Sequence, residues 1–278
     1  VWAVDSKSSG ALQKHFSPLL KRGKGFLVIL IIGENIIVKV MGICYPPPAT
    51  NRKPSTIMIF ALNSQNPQVR FIKKIVEALR NGGIIIYPTD TVYGIGCDLF
   101  NKKSIEKIYQ IARRSTEQPL SFICPDLKDI STYANVSDFA YRVLKRHLPG
   151  PYTFILEATR LVPKIIMPKR RTVGIRVPND NICLSILKEF GHPIISATVK
   201  DEMGEPLSDP REIYKRFGHT VDIVADGGNI APDESTVISL IDDQFLIIRQ
   251  GKGDIHTFCK QANKYEDVVR GTYQYKNS

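Results

Sequence analysis

Between Tyr87 and Gly96 the chain sets two threonines, an aspartate, a tyrosine and two glycines directly after a run of isoleucines. Hydroxyls and a carboxylate orient polar ligands, and glycine lets a backbone approach a phosphate closely because no Cβ intervenes. The run Ile84–Tyr87 follows Asn81-Gly82-Gly83, which suits a buried strand entered from a helix end. Pro88 removes a ladder donor and stops that strand. A strand emptying into Thr89, Asp90, Thr91, Tyr93, Gly94 and Gly96 is how α/β sheets build a ligand cradle at their carboxyl edge. The same residues equally suit a Pro-Thr-Asp turn whose side chains only cap backbone amides.

Two arginines stand at strand ends further along. Arg176 lies in Thr172–Val177, and Arg249 closes an apolar segment just before Gly251 and Gly253. A planar guanidinium clamps a carboxylate with two parallel hydrogen bonds, and one beside glycines suits a phosphate. Each also reads as an ordinary strand-terminal arginine exposed to water. The motif positions hold hydroxyls and arginines, without a nucleophile–base pair.

These segments carry a family resemblance. Tyr87–Gly96 resembles the opening signature of the YrdC/YciO family. Pro149-Gly150-Pro151-Tyr152-Thr153 resembles its Pro-Gly-Pro-x-Thr turn, and Thr172–Pro178 its arginine strand. Gly204-Glu205-Pro206 resembles the loop after its Ser-x-Asn element, and Ser235-Thr236-Val237 with Ile248-Arg249-Gln250-Gly251 its closing strands. The likeness covers roughly residues 66–255, and ordered motifs are more specific than any one alone.

The resemblance implies a reaction. L-threonine and bicarbonate form a carbamate whose oxygen attacks the α-phosphate of ATP, yielding threonylcarbamoyl-AMP and pyrophosphate for tRNA threonylcarbamoyladenosine formation. Mg²⁺ would enter with ATP, and tRNA or double-stranded RNA and a downstream threonylcarbamoyl transferase are the implied partners. Carried over residue by residue, it sets Thr91, Arg176, Ser196 and Ser235 around the amino acid. It sets Arg114, Thr172, Thr198 and Arg249 around the nucleotide and its phosphates. Arg114 and Arg176 are the implied catalytic groups, and no residue is implied as a metal ligand. Thr91, Arg176 and Arg249 are expected to line one cavity, whereas Thr153 is expected only to pack beside Pro151. Such a transfer needs positioned reactants and cations facing the charge that develops on the phosphates.

Two positions depart from the pattern. Synthases of the family carry Lys-x-Arg where this chain has Ala112-Arg113-Arg114, and an asparagine where it has Lys200. Losing one phosphate-facing cation costs about 2–4 kcal/mol of transition-state stabilisation. Both departures resemble the YciO branch and leave two further readings open. One is a non-catalytic module that binds nucleotide or double-stranded RNA. The other is a paralogue that breaks down threonylcarbamoyl-AMP with water as acceptor.

The elements that must position these residues alternate between helical and strand periods. A helix is expected after Asn66-Pro67 with Val69, Ile72, Val76 and Leu79 on one face. Others are capped by Ser104 and Ser137, end at Gly191, or open at Asp209-Pro210. Strands are expected at Ile84–Tyr87, Leu120–Cys124, Tyr152–Glu157, Thr172–Val177, Ile194–Ala197, Val221–Ala225, Thr236–Leu240 and Phe245–Arg249. This predicts an α/β fold: a single YrdC-like domain with a twisted mixed β-sheet flanked by helices.

With 278 residues, 43% of them hydrophobic, the chain can bury a substantial core. Five scattered cysteines without a Cys-x-x-Cys pair argue against a disulfide framework or zinc site, and for a reducing compartment. Residues 1–57 hold eight Lys/Arg against two Asp/Glu, while the remainder holds 30 against 25. More than half of the net +11 therefore sits in the first segment, and the main domain is only mildly basic. The apolar stretch Phe26–Ile32 is interrupted by Gly33-Glu34-Asn35, too soon to span a bilayer as one helix. The expected organisation is a leader over 1–57 outside the fold, a YrdC-like domain over 58–260 and a polar tail over 261–278. The leader reads as upstream sequence before Met58 or as a targeting peptide, with a cytoplasmic or organellar location accordingly.

Overall fold

Residues 28–32, 35–39, 58–115, 118–166 and 171–259 are described by the computed structural model. The chain divides into units of residues 1–53 and 54–278. In the first, β1 (Val28–Ile32) pairs antiparallel with β2 (Asn35–Lys39), from Val28 opposite Lys39 to Ile32 opposite Asn35. The break at Gly33-Glu34 thus falls between two strands. The rest of the expected leader, and the tail over 261–278, lie outside the described residues. Among the described residues no helix is long and apolar enough to cross a membrane.

The second unit runs β3 (Met58–Ala61), α1 (Val69–Arg80), β4 (Ile85–Tyr87), β5 (Gly94–Asp98), α2 (Lys102–Ile111), β6 (Ser121–Ile123), α3 (Ile130–Tyr133), α4 (Asp138–His147), β7 (Tyr152–Glu157), β8 (Thr172–Arg176), α5 (Asn181–Phe190), β9 (Ile194–Thr198), α6 (Pro210–Phe217), β10 (Ile223–Asp226), β11 (Thr236–Ser239), β12 (Leu246–Arg249) and α7 (His256–Cys259). Its strands form one ten-stranded mixed sheet in the order β12-β11-β7-β8-β6-β9-β5-β4-β10-β3. This is the α/β architecture expected from the alternating periods.

Local chemistry explains the helix ends. The α1 stripe is Ile72, Ile75, Val76 and Leu79, while Val69 is 64% exposed. The helix starts too late for Val69 to reach the core. It closes on Gly82 at φ 74°, with Gly83 N–H donating to Ala78 O and Gly82 N–H to Leu79 O, a Schellman ending. Asn101, not Ser104, caps α2, because its side chain accepts from Ser104 N. Ser104 instead donates to Gly82 O and ties α2 to the end of α1. Ser137 does cap α4, and Gly191 ends α5 in the left-handed region.

Register sorts the sheet into two faces. On one, Ile86, Ile95, Phe122, Phe154, Ile175 and Ile195 pack with residues of α2, α4 and α6 in the larger apolar cluster. On the other, Phe60, Ile85, Tyr87, Ile194 and Ile223 pack against the apolar stripes of α1 and α5. Beyond β9, towards β12, this second face changes character. Besides Ile123, Ile155 and Val237, its positions are Ser121, Thr153, Thr172, Gly174, Arg176 and Arg249, and all of these line a cavity. Covering an aliphatic side chain contributes about 1.5–3 kcal/mol, and this half of the face offers little for a helix to cover.

Two strands were not expected. β3 is the edge, paired parallel to β10. β5 takes in Gly94 and Gly96, which had read as part of a ligand cradle. Tyr87 on β4 explains them. Its ring lies across β5, so a Cβ on Gly94 would sit 2.9 Å from the Tyr87 hydroxyl, and one on Gly96 3.0 Å from Tyr87 Cε1. The phenol reaches over both glycines to donate to Ser196 Oγ at 2.6 Å. The glycines form a trough for a tyrosine, and Gly94 also lines the cavity, so it keeps its place in the cradle. Gly94→Ala should therefore overpack the site and lower unfolding free energy by about 1–3 kcal/mol, read as a reduced urea midpoint at unchanged slope.

Candidate active site

The cavity, of about 220 Å³, lies over the uncovered half of the sheet. Its floor follows the ladder: Ile155 opposes Gly174, Gly174 opposes Ser121, Ser121 opposes Ser196, and Ser196 opposes Gly96. Thr172, Gly174 and Arg176 alternate along β8 and all line it. Thr172 and Arg176 are four residue rises apart, roughly 13 Å. One strand therefore contributes to the cavity wall over that length. Arg114, Glu234, Ser235 and Arg249 complete the wall.

At the Arg176 end, the guanidinium forms a buried ion pair with Asp90, the two side chains being 6% and 12% exposed. Arg176 Nη2 also donates to Thr89 Oγ1 at 3.4 Å. Two buried atoms here have no protein partner, Arg176 Nε and Asp90 Oδ2. An unsatisfied buried polar atom costs about 1–3 kcal/mol, which a ligand supplying an acceptor or a donor removes. Thr153 and Ser235 share a hydrogen bond of 2.8 Å beside them. Ser196 accepts from Tyr87, whose phenol burial pushes well above its usual range and so keeps protonated.

Thr91 is the exception among the sequence-derived residues. It is fully buried and absent from the cavity wall, its hydroxyl 3.2 Å from Thr89 Oγ1. The turn after Pro88 brings Thr89 forward and turns Thr91 inward. Thr89 accepts from the amides of Thr91 and Val92 and donates to Val92 O at 2.6 Å. The turn-capping reading thus describes Thr89, which also faces the cavity.

Arg114, Thr172, Thr198 and Arg249 line the cavity as well. Arg114 follows α2 through Arg113, which takes φ 51°. Arg114 N–H donates to Tyr109 O and Arg113 N–H to Gln110 O, so a Schellman turn aims the next side chain. Burial lowers the Arg114 pKa and Arg249 adds to this, while the Glu234 carboxylate opposes it. Arg249 donates to Ser235 O from Nη2 at 2.9 Å and to Glu234 Oε2 from Nη1 at 2.8 Å.

The departures have structural counterparts. Ala112 packs against the apolar core and does not line the cavity, so a lysine there would have to leave that packing. Lys200 Nζ lies 3.4 Å from Glu234 Oε1. Thr89 keeps the cradle position expected of it, whereas Thr153, expected only to pack beside Pro151, lines the cavity and bonds Ser235. Sequence reasoning missed Asp90 as the partner of Arg176, Ser121, Gly174 and Glu234. Alternation from Arg176 would have found Gly174 two residues away. Nothing local marked Glu234. Among the described residues no group of three or more His, Cys, Asp or Glu could hold a metal ion. Glu234 is flanked by cations and Asp90 is held by Arg176, so the wall offers Mg²⁺ no protein cage.

Residues 77–251 match the sequence model of the Sua5/YciO/YrdC domain, which carries the description "Telomere recombination". The chain belongs to the Sua5/YciO/YrdC family. YciO of Escherichia coli is 38% identical over 201 residues, covering 72% of this chain and 98% of that one. The crystal structure of E. coli YciO superposes with a TM-score of 0.70 over the same shares. Among family members named for an activity, the threonylcarbamoyl-AMP synthase of Buchnera aphidicola is 28% identical over 173 residues, 60% of this chain and 98% of that one. P. abyssi Sua5 complexed with L-threonine shares the fold, with a TM-score of 0.69 at 23% identity over 73% of this chain and 60% of that one.

The ion pair makes a test. Asp90→Ala or Arg176→Met alone should lower stability by about 3–5 kcal/mol in urea unfolding, because each leaves an uncompensated charge or carboxylate. Combining them should cost less than either single change.

Proposed function

We propose that the protein forms threonylcarbamoyl-AMP from ATP, L-threonine and bicarbonate, as a nucleotidyltransferase of tRNA threonylcarbamoyladenosine synthesis. The observation that carries this reading is the unpartnered Arg176 Nε in a cavity that Arg114 and Arg249 also line. A buried guanidinium with an unused donor suits the carboxylate of an amino acid. Two further arginines suit phosphates. Named relatives give the reaction class: the Buchnera protein is a threonylcarbamoyl-AMP synthase, and P. abyssi Sua5 is complexed with L-threonine.

In this reading Arg176 holds the threonine carboxylate, with Ser196, Ser235 and Thr153 supplying hydroxyls around it. The amine attacks the bicarbonate carbon, one C–O bond breaks and water leaves with a proton from the amine, and the resulting carbamate oxygen attacks the α-phosphate along the line of the departing pyrophosphate. Arg114 and Arg249 face the phosphate oxygens as charge builds there, and Thr172 and Thr198 position them. Mg²⁺ would arrive with ATP and offset phosphate charge. Asp90 fixes the Arg176 guanidinium without touching the reacting atoms. The shallow, hydroxyl-lined floor at Gly174 leaves room for the adenylate.

Incubation with ATP, L-threonine and labelled bicarbonate should release pyrophosphate and label an adenylate. ATP binding without that product would sink the synthase reading. Arg114→Ala should lower the rate by about 10²–10³-fold if it stabilises phosphate charge. A Cβ on Gly174 meets only ordinary contacts, Ser121 Oγ and Thr153 Cγ2 at 3.5 Å. Gly174→Val should consequently keep the fold, by circular dichroism and thermal melting, while weakening ligand binding at least tenfold.

A further inference from the structure

Glu234 is a carboxylate placed where the proposed reaction wants none. It lines the cavity beside Arg114 and Arg249. Its Oε2 accepts from Arg249 Nη1 at 2.8 Å. Its Oε1 accepts from Thr198 Oγ1 at 3.2 Å and lies 3.4 Å from Lys200 Nζ. Two cations and a hydroxyl converging on two oxygens is the donor set a phosphate group would use. The residue is not a stray surface acid, since its side chain is only 20% exposed. Its backbone is held as well, because Lys252 N–H donates to Glu234 O at 2.9 Å. Three of the five Arg249 N–H groups are engaged in this way, since its Nε and Nη2 also donate to Ser235 O at 3.3 and 2.9 Å. Arg114 differs, for its recorded hydrogen bond is a long one to Pro119 O at 3.4 Å.

We propose that Glu234 is an internal phosphate mimic which takes the donors of one phosphate position, so that the cavity prefers a nucleotide bearing a single phosphate to a triphosphate. The inference rests on the nucleotide reading above and deepens it: for Arg249 and Thr198 to meet phosphates as that reading has it, ATP must displace the Glu234 carboxylate from them. A single phosphate can be met by Arg114 while Glu234 keeps Arg249, Thr198 and Lys200. A triphosphate needs more of the wall, and must either displace the carboxylate or lie against it. Repulsion between like charges grows with the ligand's charge, and a partly buried site screens it poorly. Lys200, standing where the family's synthases have asparagine, gives Glu234 its second cation and strengthens its hold. The favoured ligand class is an adenylate: AMP itself or an acyl-adenylate.

Calorimetric titration of the full chain with ATP and with AMP, first in EDTA and then with Mg²⁺, tests this. Glu234→Gln and Glu234→Ala should each tighten ATP about tenfold or more in EDTA and change AMP by less than threefold. Mg²⁺ should shrink the ATP gain by offsetting phosphate charge. AMP binding in all three proteins shows that the pocket is intact in the variants. Equal factors for both nucleotides, or no gain for ATP, would overturn the proposal while leaving the nucleotide reading standing. Binding of neither nucleotide by any of the three proteins would remove that reading and the proposal with it.

Discussion

Among the described residues, the apolar stripes of α1 and α5 pack on only one half of a sheet face, and the site lies over the other half. From β3 to β9 the face is aliphatic and lies under α1 and α5. From β9 to β12 the same face carries hydroxyls, a glycine and two arginines. A sheet buried on both faces draws its stability from apolar residues at every position, whereas here alternate positions are released for chemistry. The opposite face offsets this, since its residues on the same strands, Phe122, Phe154, Ile175 and Ile195, are all buried in the larger core. Each of these strands is therefore core on one side and site on the other. Arg176 can be buried because Asp90 meets it from the turn after β4, and that pair links the first motif of the chain to the middle of the sheet.

Much of this arrangement was legible in the sequence, for reasons that differ by element. Helices α4, α5 and α6 carry their caps in adjacent residues, Ser137, Gly191 and Asp209-Pro210, so local chemistry announced them. β7 and β9 contain apolar runs, and β8 alternates apolar Val173 and Ile175 with Thr172, Gly174 and Arg176, so each shows a strand period. β5 was hidden because Gly94 and Gly96 are poor strand formers on their own. Their reason lies in Tyr87, a neighbour only across the ladder. Val69 misled by periodicity, one turn outside the helix's contact with the core.

The site was readable where a motif named the residue and opaque where the partner was distant. Arg114, Thr172, Arg176, Ser196, Thr198, Ser235 and Arg249 do share one cavity. Thr91 and Thr89 could not be separated by sequence, since which hydroxyl faces outward depends on the course of the turn after Pro88. Asp90 lay within the motif, but its pairing with Arg176 spans 86 positions. Glu234 needed three strands to converge before its position among cations meant anything. The YciO likeness, at 38% identity and a TM-score of 0.70, shows the same fold retained while most positions differ.

The Tyr87–Ser196 hydrogen bond has a directional effect on the cavity. Because the phenol keeps its proton, Ser196 Oγ takes that bond as acceptor. Its own proton is left with two long contacts, Ile95 O at 3.3 Å and Ala197 O at 3.5 Å. Such weak bonds are given up readily when a better acceptor arrives. Ser196 is thus a polarised hydroxyl, anchored through its lone pair and free to swing its hydrogen outward. A ligand oxygen is thereby offered a hydrogen at that point of the floor, while a donor can reach only the second lone pair of an oxygen that already accepts from Tyr87.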